Sequence, residues 1–254
     1  GRVLEPETLH EIVLATLASA AQAQSLAGLR VVVSAGGTRE PIDPVRYLGN
    51  RSSGRQGVAI AVEAATRGAE VELVAANIGA DVLAATDGLT IGIRHTGSAA
   101  QLAEAMKDAA ARADIVIMAA AVADYRPASV SDQKLTKESG LLERIELVEN
   151  EDVVAGLAAA RGVGRAPAGQ TIVAFAAETA ADPEHRRERA RRKRERKGVD
   201  LLAVNLVDDQ RGFEAADNAI EVIGDAGEVV AAVDGTKRQV AAALWEAVQR
   251  VREG

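Results

Sequence analysis

The sequence predicts an α/β fold, a mostly parallel sheet with helices on both faces. Three observations carry this. Apolar runs of strand length alternate with helical segments of roughly 10–15 residues, the pattern of parallel strands joined by crossover helices. One junction, Leu29–Val33 into Gly36–Gly57 into the alanine-rich Val58–Thr66, reads strand, glycine-rich loop, helix. Aromatic residues are only 2% of the 254 residues, so the core must be built from Ala, Val, Leu and Ile.

Pro6–Ala23 reads as one alanine-rich helix, with Leu9, Ile12, Val13 and Leu17 at helical spacing. Residues 1–28 are read as a linker and 29–254 as the domain. Strands are expected at Arg30–Ser34, Glu70–Ala75, Thr90–Arg94, Ile115–Ala119, Thr171–Ala176, Leu201–Asn205 and Ala219–Ile223. Helices are expected at Gly57–Arg67, Ser98–Arg112, Val153–Arg161, Pro183–Lys197 and Thr236–Arg252. Two segments break the alternation. Tyr125–Asn150 is polar, carries Lys134 and Lys137, and ends in the alternating stretch Leu142–Val148, so it reads as an extended arm or flap. Arg161–Gln170 reads as a plain surface loop. In Rossmann-like sheets of this kind, ligands sit beyond the carboxyl ends of the strands. Gly36–Gly57, Ala120–Arg126, Phe175–Thr179 and Asn205–Phe213 all follow such ends and are expected to converge on one edge.

Composition excludes several classes. With 30 Lys and Arg against 37 Asp and Glu, the net charge of −7 gives no global case for nucleic-acid binding. The absence of cysteine excludes disulfides, thiolate metal sites and a cysteine nucleophile. His10, His95 and His185 are far apart and show no metal-ligand spacing. No apolar run reaches the roughly 20 residues of a membrane span. No charged-then-apolar leader pattern opens the chain. A soluble cytoplasmic protein is expected.

The glycine-rich loop is the first candidate site. Glycines let a backbone approach an anion, and a helix start offers free N–H groups and partial positive charge. Ser52, Ser53, Gly54 and Gly57 stand at that start, although a serine there is also a good N-cap. Asn50 is a turn residue or an uncharged donor to developing negative charge. Arg46 suits a phosphate bidentately, or is a solvated loop arginine. In Ala119–Arg126 (AAAVADYR), small residues let a ligand lie along the backbone, and Asp124 is a turn former or a ligand. Lys134 on a polar arm is a surface charge or a group that closes over a site. Asp152 in Asn150–Val154 (NEDVV) fits an N-cap, and Phe175 fits the core or a ligand wall. In His185–Lys197, nine of thirteen residues are Arg or Lys. A solvated amphipathic helix accounts for them, with Lys193 and Lys197 four apart on one face.

GGTREPIDPVR followed by NRSSGRQG closely resembles the signature of phosphopantothenoylcysteine synthetase, and AVADYR and the lysine pair match in order downstream. The resemblance runs from about Leu29 to the C-terminus. It implies a ligase that joins 4′-phosphopantothenate to L-cysteine, with CTP activating the carboxylate and Mg²⁺ (or Mn²⁺) on the phosphates. It further implies a homodimer and a fused decarboxylase domain.

The resemblance also implies residue roles. Asn50 and Lys134 would be catalytic, Asn50 beside the reacting carboxylate and Lys134 on a mobile flap. Arg46 would reach the substrate phosphate of a neighbouring subunit, and Ala120, Ala121 and Asp124 would line the substrate. The nucleotide would contact Gly37, Ser52, Gly54, Gly57, Met118, Ala119, Ala120, Asp124 and Lys134. Further on it would contact Glu151, Asp152, Val153, Val154, Phe175, Lys193, Lys197 and Asn205. Glu151 and Val153 stand where the family has proline and isoleucine, and Thr136 stands where it often has lysine. Two rivals remain: a nicotinamide-dependent short-chain reductase and a non-catalytic nucleotide-binding module. Against the reductase, the second strand ends Val74–Asn77 without the acidic residue expected for a ribose, and the chain has no Tyr-x-x-x-Lys pair.

Overall fold

Strand β1 (Arg30–Gly36, RVVVSAG) is buried from Val31 onward, as expected of a strand covered on both faces. It is one of eight strands in a single sheet in a computed structural model that describes residues 24–137, 144–178, 182–206 and 217–253. The helix expected over Pro6–Ala23 lies outside those residues. Strand β1 pairs in parallel with β4 (Glu70–Ala76) on one side and β6 (Ile115–Met118) on the other. Strand β5 (Ile91–Thr96) continues the sheet beyond β4. Beyond β6 come β9 (Thr171–Glu178) and β10 (Leu201–Leu206), also parallel. An antiparallel pair, β11 (Asp217–Ile223) and β12 (Val229–Thr236), closes that edge.

The strand β12 is absent from the sequence expectation. Its side chains are half-exposed and its run VVAAVDGT is interrupted by Asp234 and Gly235. The missed signal is the turn Gly224–Glu228, where Gly224 N–H donates to Glu228 C=O and Gly227 takes a φ of 80°. The last helix therefore begins at Lys237, and Thr236 becomes its cap, its Oγ1 accepting from the Gln239 N–H at 3.3 Å.

Helices cover both faces, as the alternation implies. Helices α1 (Arg55–Thr66) and α6 (Lys237–Glu253) share one core with Val31, Val33, Ile115 and Ile117. Trp245 on α6 is fully buried there and its Nε1 donates to the Ile60 carbonyl at 3.0 Å. On the opposite face, α3 (Ala99–Ala110), α4 (Val153–Gly162) and α5 (Pro183–Lys197) pack on Val32, Val116, Ile172 and Leu202. A short helix α2 (Ala80–Leu83) follows β4.

The basic helix α5 departs from a purely solvated amphipathic helix. Asp182 caps it, Pro183 opens it and Gly198 ends it in the left-handed region at φ 66°. Only Ala190 and Arg194 are buried on it, so apolar packing is a small part of its attachment. Ion pairs supply the rest. Arg187 and Arg186 meet Glu221 at 2.7 and 3.5 Å, and Arg194 pairs with Asp225 and donates to the Val199 carbonyl. Arg161–Gln170 is also more than a plain loop. Gln170 is buried, and its Nε2 donates to the carbonyls of Ala110 and Ala113, both at 2.7 Å.

The arm has a ribbon at its base. Strands β7 (Tyr125–Pro127) and β8 (Leu147–Glu149) pair antiparallel, Tyr125 facing Glu149. A second small ribbon, β2 (Arg39–Pro41) with β3 (Tyr47–Gly49), rises from the glycine-rich loop. No helix among the described residues is long and apolar enough to cross a membrane.

Candidate active site

At the carboxyl edge of the sheet, β1 ends on a position that only glycine can fill. Gly36 has a φ of 89°, and a Cβ there would lie 2.0 Å from the Ala76 carbonyl oxygen. The chain then passes Gly37, which bridges in parallel to Ala121. Asn77, after β4, fixes this crossing. Its Nδ2 donates to the Gly37 carbonyl at 2.9 Å and the Gly97 carbonyl at 2.7 Å.

The polar residues of Gly36–Gly57 divide into two groups. Thr38, Glu40 and Asp43 are buried and build the loop. Thr38 Oγ1 accepts from the Ala123 N–H at 2.9 Å, and Glu40 Oε1 accepts from the Ala99 N–H at the start of α3. Asn50, Ser52, Ser53, Gly54 and Gly57 instead line a cleft of about 910 Å³. Gly54 is the N-cap residue of α1, at φ 80°, and no side-chain hydrogen bond caps that helix. The N-cap residue is thus a glycine and not one of the serines considered from the sequence. The start of α1 lines the cleft, and a helix start suits an anion. Gly57 lets α1 lie against β1, since a Cβ there would come within 2.5 Å of the Ala35 Cβ.

The ends of β6, β9 and β10 form the rest of the cleft. Met118, Ala119, Ala120, Ala121 and Asp124 line one wall, Glu151, Asp152, Val153 and Val154 another, and Phe175 and Asn205 the floor. Lys193 and Lys197 reach it from α5, as their four-residue spacing implies. Asn50 Nδ2 donates to the Ala121 carbonyl at 3.3 Å, a long bond that places its amide beside the AAAVAD segment. Asn150 ties that segment to the next wall, its Nδ2 donating to the Ala123 carbonyl at 2.8 Å and its N–H to the Asp124 carbonyl.

Charge is paired along the far wall. Lys197 Nζ donates to both oxygens of Asp152 at 2.8–2.9 Å, and Asp152 also caps α4 through the Ala155 N–H. Burial raises the Asp152 carboxyl, but the Lys197 contact and the Ala155 N–H outweigh it and hold the group below the ordinary carboxylate range. Lys107 grips Glu151 in the same way, at 2.9 Å to each oxygen.

Three candidate residues stand apart from this cleft. Gly37 lies beneath it, and Arg46 and Lys134 are outside its lining. Arg46 is turned to Asp43 and to the Leu135 carbonyl, on the side where the arm begins. Several lining residues are not among the site residues named from the sequence, Gln56, Asn218 and Lys237 among them. Asn218 Nδ2 donates to Gln56 Oε1 at 3.1 Å, and Gln56 Nε2 donates to the Lys237 carbonyl. Gln56 stood within the motif itself. Lys237 gave no signal, because its place depends on the unrecognised β12.

Asn205 Oδ1 is a buried oxygen with no hydrogen-bond partner among the described residues. Among the described residues no three His, Cys, Asp or Glu side chains cluster as a metal cage. A magnesium ion carried mainly by phosphate oxygens fits such a site, because Mg²⁺ takes few protein ligands and keeps several waters.

The reductase rival is weakened by geometry. The residue after β4 is Asn77, with its amide spent on two carbonyls, so no carboxylate stands where a ribose would be held. Tyr47 is exposed on β3 under Arg39, 4.7 Å from guanidinium carbon to ring centre.

Residues 26–251 match the family model described as DNA/pantothenate metabolism flavoprotein C-terminal domain. The chain is 45% identical over 223 residues to the coenzyme A biosynthesis bifunctional protein CoaBC of Mycobacterium tuberculosis, covering 88% of this chain and 52% of that protein. It is 36% identical over 236 residues to the Escherichia coli protein of the same name, covering 91% and 53%. The chain thus spans about half the length of these curated relatives. Among solved structures, the C-terminal domain of a CoaBC protein superposes with a TM-score of 0.69 at 30% identity, covering 91% of this chain and 98% of that one. A mutant of Cab2 in complex with phosphopantothenate-cysteine shares the fold at 15% identity, with a TM-score of 0.65 and coverage of 98% and 95%.

Proposed function

Since the chain belongs to the DNA/pantothenate metabolism flavoprotein C-terminal domain family, we propose that it is a phosphopantothenate–cysteine ligase driven by CTP. The cleft is the observation that carries this. It sets a helix start, an uncharged amide and a lysine pair around one space large enough for a nucleotide and an acid. The 4′-phosphopantothenate carboxylate attacks the α-phosphorus of CTP, and the bond to the β-phosphate oxygen breaks to release pyrophosphate. The cysteine amine then attacks the acyl carbon of the acyl-cytidylate, loses a proton, and CMP departs with the bonding pair.

Each residue has a task in that scheme. The α1 N–H groups at Ser52–Gly57 and the lysines Lys193 and Lys197 hold the triphosphate. Asn50 donates to the charge that develops on the reacting carboxyl and α-phosphate oxygens. Ala120 and Ala121 leave the backbone open to the substrate, and the Glu151–Val154 loop holds the base. Phe175 packs against the nucleotide. Asn205 would offer an oxygen to Mg²⁺, whose contribution when bound is to neutralise phosphate charge. No protein nucleophile is required, in keeping with the absence of cysteine. Alignment and charge stabilisation supply the acceleration.

We read the arm as part of a homodimer contact. Exposed apolar side chains gather on the β2–β3 ribbon and the arm: Val45, Tyr47, Leu48, Tyr125, Val130 and Leu147 are 40–60% exposed. Arg46 lies in the middle of that surface, where it could serve a neighbouring subunit. In its full-length setting the domain would work beside a fused decarboxylase, in the cytoplasm.

The test is pyrophosphate release with Mg²⁺, comparing CTP with ATP, each with and without 4′-phosphopantothenate and L-cysteine. Release that needs CTP and phosphopantothenate, followed by 4′-phosphopantothenoylcysteine by mass once cysteine is added, is the expected result. Folded protein that releases none under any combination overturns the reading.

A further inference from the structure

Asp43 is a carboxylate buried where no ligand of the cleft reaches it. Its side chain is fully enclosed, while that of Arg46 is about a third exposed. Asp43 Oδ1 accepts from the N–H groups of Val45 and Arg46, both at 2.8 Å, which closes a tight turn. Asp43 Oδ2 faces the other way. It accepts from the Leu135 N–H at 3.1 Å and lies 2.9 Å from Arg46 Nη2. That same Nη2 donates to the Leu135 carbonyl at 2.6 Å. A further bond joins the two segments, from the Ser131 N–H to the Ile42 carbonyl at 3.0 Å.

The consequence lies in which peptide is held. The Leu135 N–H belongs to the Lys134–Leu135 peptide, so Asp43 fixes the plane from which Lys134 departs. Arg46 holds the next peptide from the same side. One carboxylate thus fastens the turn that presents Arg46 to the strip of arm that presents Lys134, although the two are about 90 residues apart in sequence. An unanchored exposed lysine would spend its positive charge over many rotamers and backbone states. Fixing the backbone removes the larger part of that freedom before substrate arrives.

We propose that Asp43 is a positioning residue of the ligase, a clasp that makes Arg46 and Lys134 one unit. The proposal rests on the ligase reading, in which those two cations meet the phosphate and the acyl-nucleotide. Asp43 touches neither substrate. It acts by delivering two cations in a fixed relation, so that any movement of the arm carries both.

Asp43→Asn separates the two halves of the clasp. The amide oxygen can still accept from Val45 and Arg46, but the NH₂ group then faces the Leu135 N–H and the Arg46 guanidinium, donor against donors. Two measurements on Asp43→Asn test the proposal. In hydrogen exchange, the Leu135 amide should exchange at least tenfold faster while the amides of β1 and β6 keep their protection. In pyrophosphate release, kcat should fall at least tenfold while CTP affinity changes less than twofold, because the nucleotide sits in a cleft the clasp does not line. The decisive arm is a cycle in which the background is the double variant Arg46→Ala with Lys134→Ala. If Asp43 works through those two cations, adding Asp43→Asn to that background should lower kcat less than twofold further. Multiplying losses would overturn the proposal in favour of a general structural role. Unchanged exchange at Leu135 would overturn it whatever the kinetics. Lack of turnover in the wild type would instead sink the ligase reading, while the exchange measurement still decided whether the clasp exists. Should Asp43→Asn fail to fold, Asp43→Ser keeps an oxygen for the turn and gives the same comparison.

Discussion

At the scale of single residues, Asn50 carries the sharpest expectation. Its amide stands beside Ala121 in the lining of the cleft, and the residue is exposed. Asn50→Ala removes one donor from developing charge without emptying any packed space. We expect kcat for pyrophosphate release to fall about 10²–10³-fold, with CTP affinity by calorimetry little changed. Asp43 makes the second prediction at this scale. Burial pushes its carboxyl up, but the N–H groups of Val45, Leu135 and Arg46 and the Arg46 charge outweigh that and leave it below the ordinary range. A depressed folded value means stability that is complete above the unfolded value, near 3.9, and is lost as pH falls through the folded one. The difference in urea midpoint between wild type and Asp43→Asn should therefore be constant near neutrality and shrink as pH drops below about 4. These two residues also show where sequence reading stops. Asn50 and Asp43 are polar residues seven positions apart in one motif, and nothing local separates them. The partners of Asp43 and Thr38 lie 92 and 85 residues away, at Leu135 and Ala123. Inward or outward is decided there.

Elements were legible where one periodicity ruled and obscure where tertiary contacts did. The central parallel strands β1, β6, β9 and β10 are largely apolar on both faces and read plainly. The β12 edge strand is half-exposed, and the two ribbons are three residues a side, too short to show alternation. Helix α5 was legible as a helix, but its docking through Arg186, Arg187 and Arg194 was not, because charge in a sequence does not say whether water or a carboxylate faces it. The loop between β8 and α4 gives the prediction at this scale. The family expectation there is a proline, which stiffens a loop by fixing φ. This chain has Glu151, held by Lys107 from α3. An exposed pair of this kind is worth about 0.2–1 kcal/mol. Lys107→Ala should therefore weaken CTP binding by up to about fivefold, read by calorimetry, with kcat at saturating CTP unchanged. Unchanged affinity would mean that the loop holds its shape without the pair.

Across the whole molecule, the sheet falls into two blocks that are each continuous in sequence. Residues 30–118 supply β5, β4, β1 and β6, and residues 171–236 supply β9 to β12. Two of the contacts that join the blocks stand out. One is the β6–β9 ladder, four residue pairs from Ile115–Thr171 to Met118–Ala174. The other is α6 lying on α1, where Trp245 reaches Ile60. Trp245→Phe keeps most of the apolar volume but leaves the buried Ile60 carbonyl without that donor. A loss of about 1–3 kcal/mol is expected, read by urea unfolding followed in the far-ultraviolet, as the variant has no tryptophan left to report. A larger loss would show that the indole shape itself locks the two helices. The arm lies between the blocks in sequence, and the cleft opens over their joint, with Ser52 and Met118 on one side and Phe175 and Lys193 on the other. Whatever fills that space is then a further fastening between the blocks, one whose strength is set by mass action. A ligand at a hundred times its dissociation constant adds about 2.7 kcal/mol to the folded state, close to the upper end of what the tryptophan bond is expected to give. The supply of substrate, as much as the packing of side chains, sets how firmly the two blocks are joined.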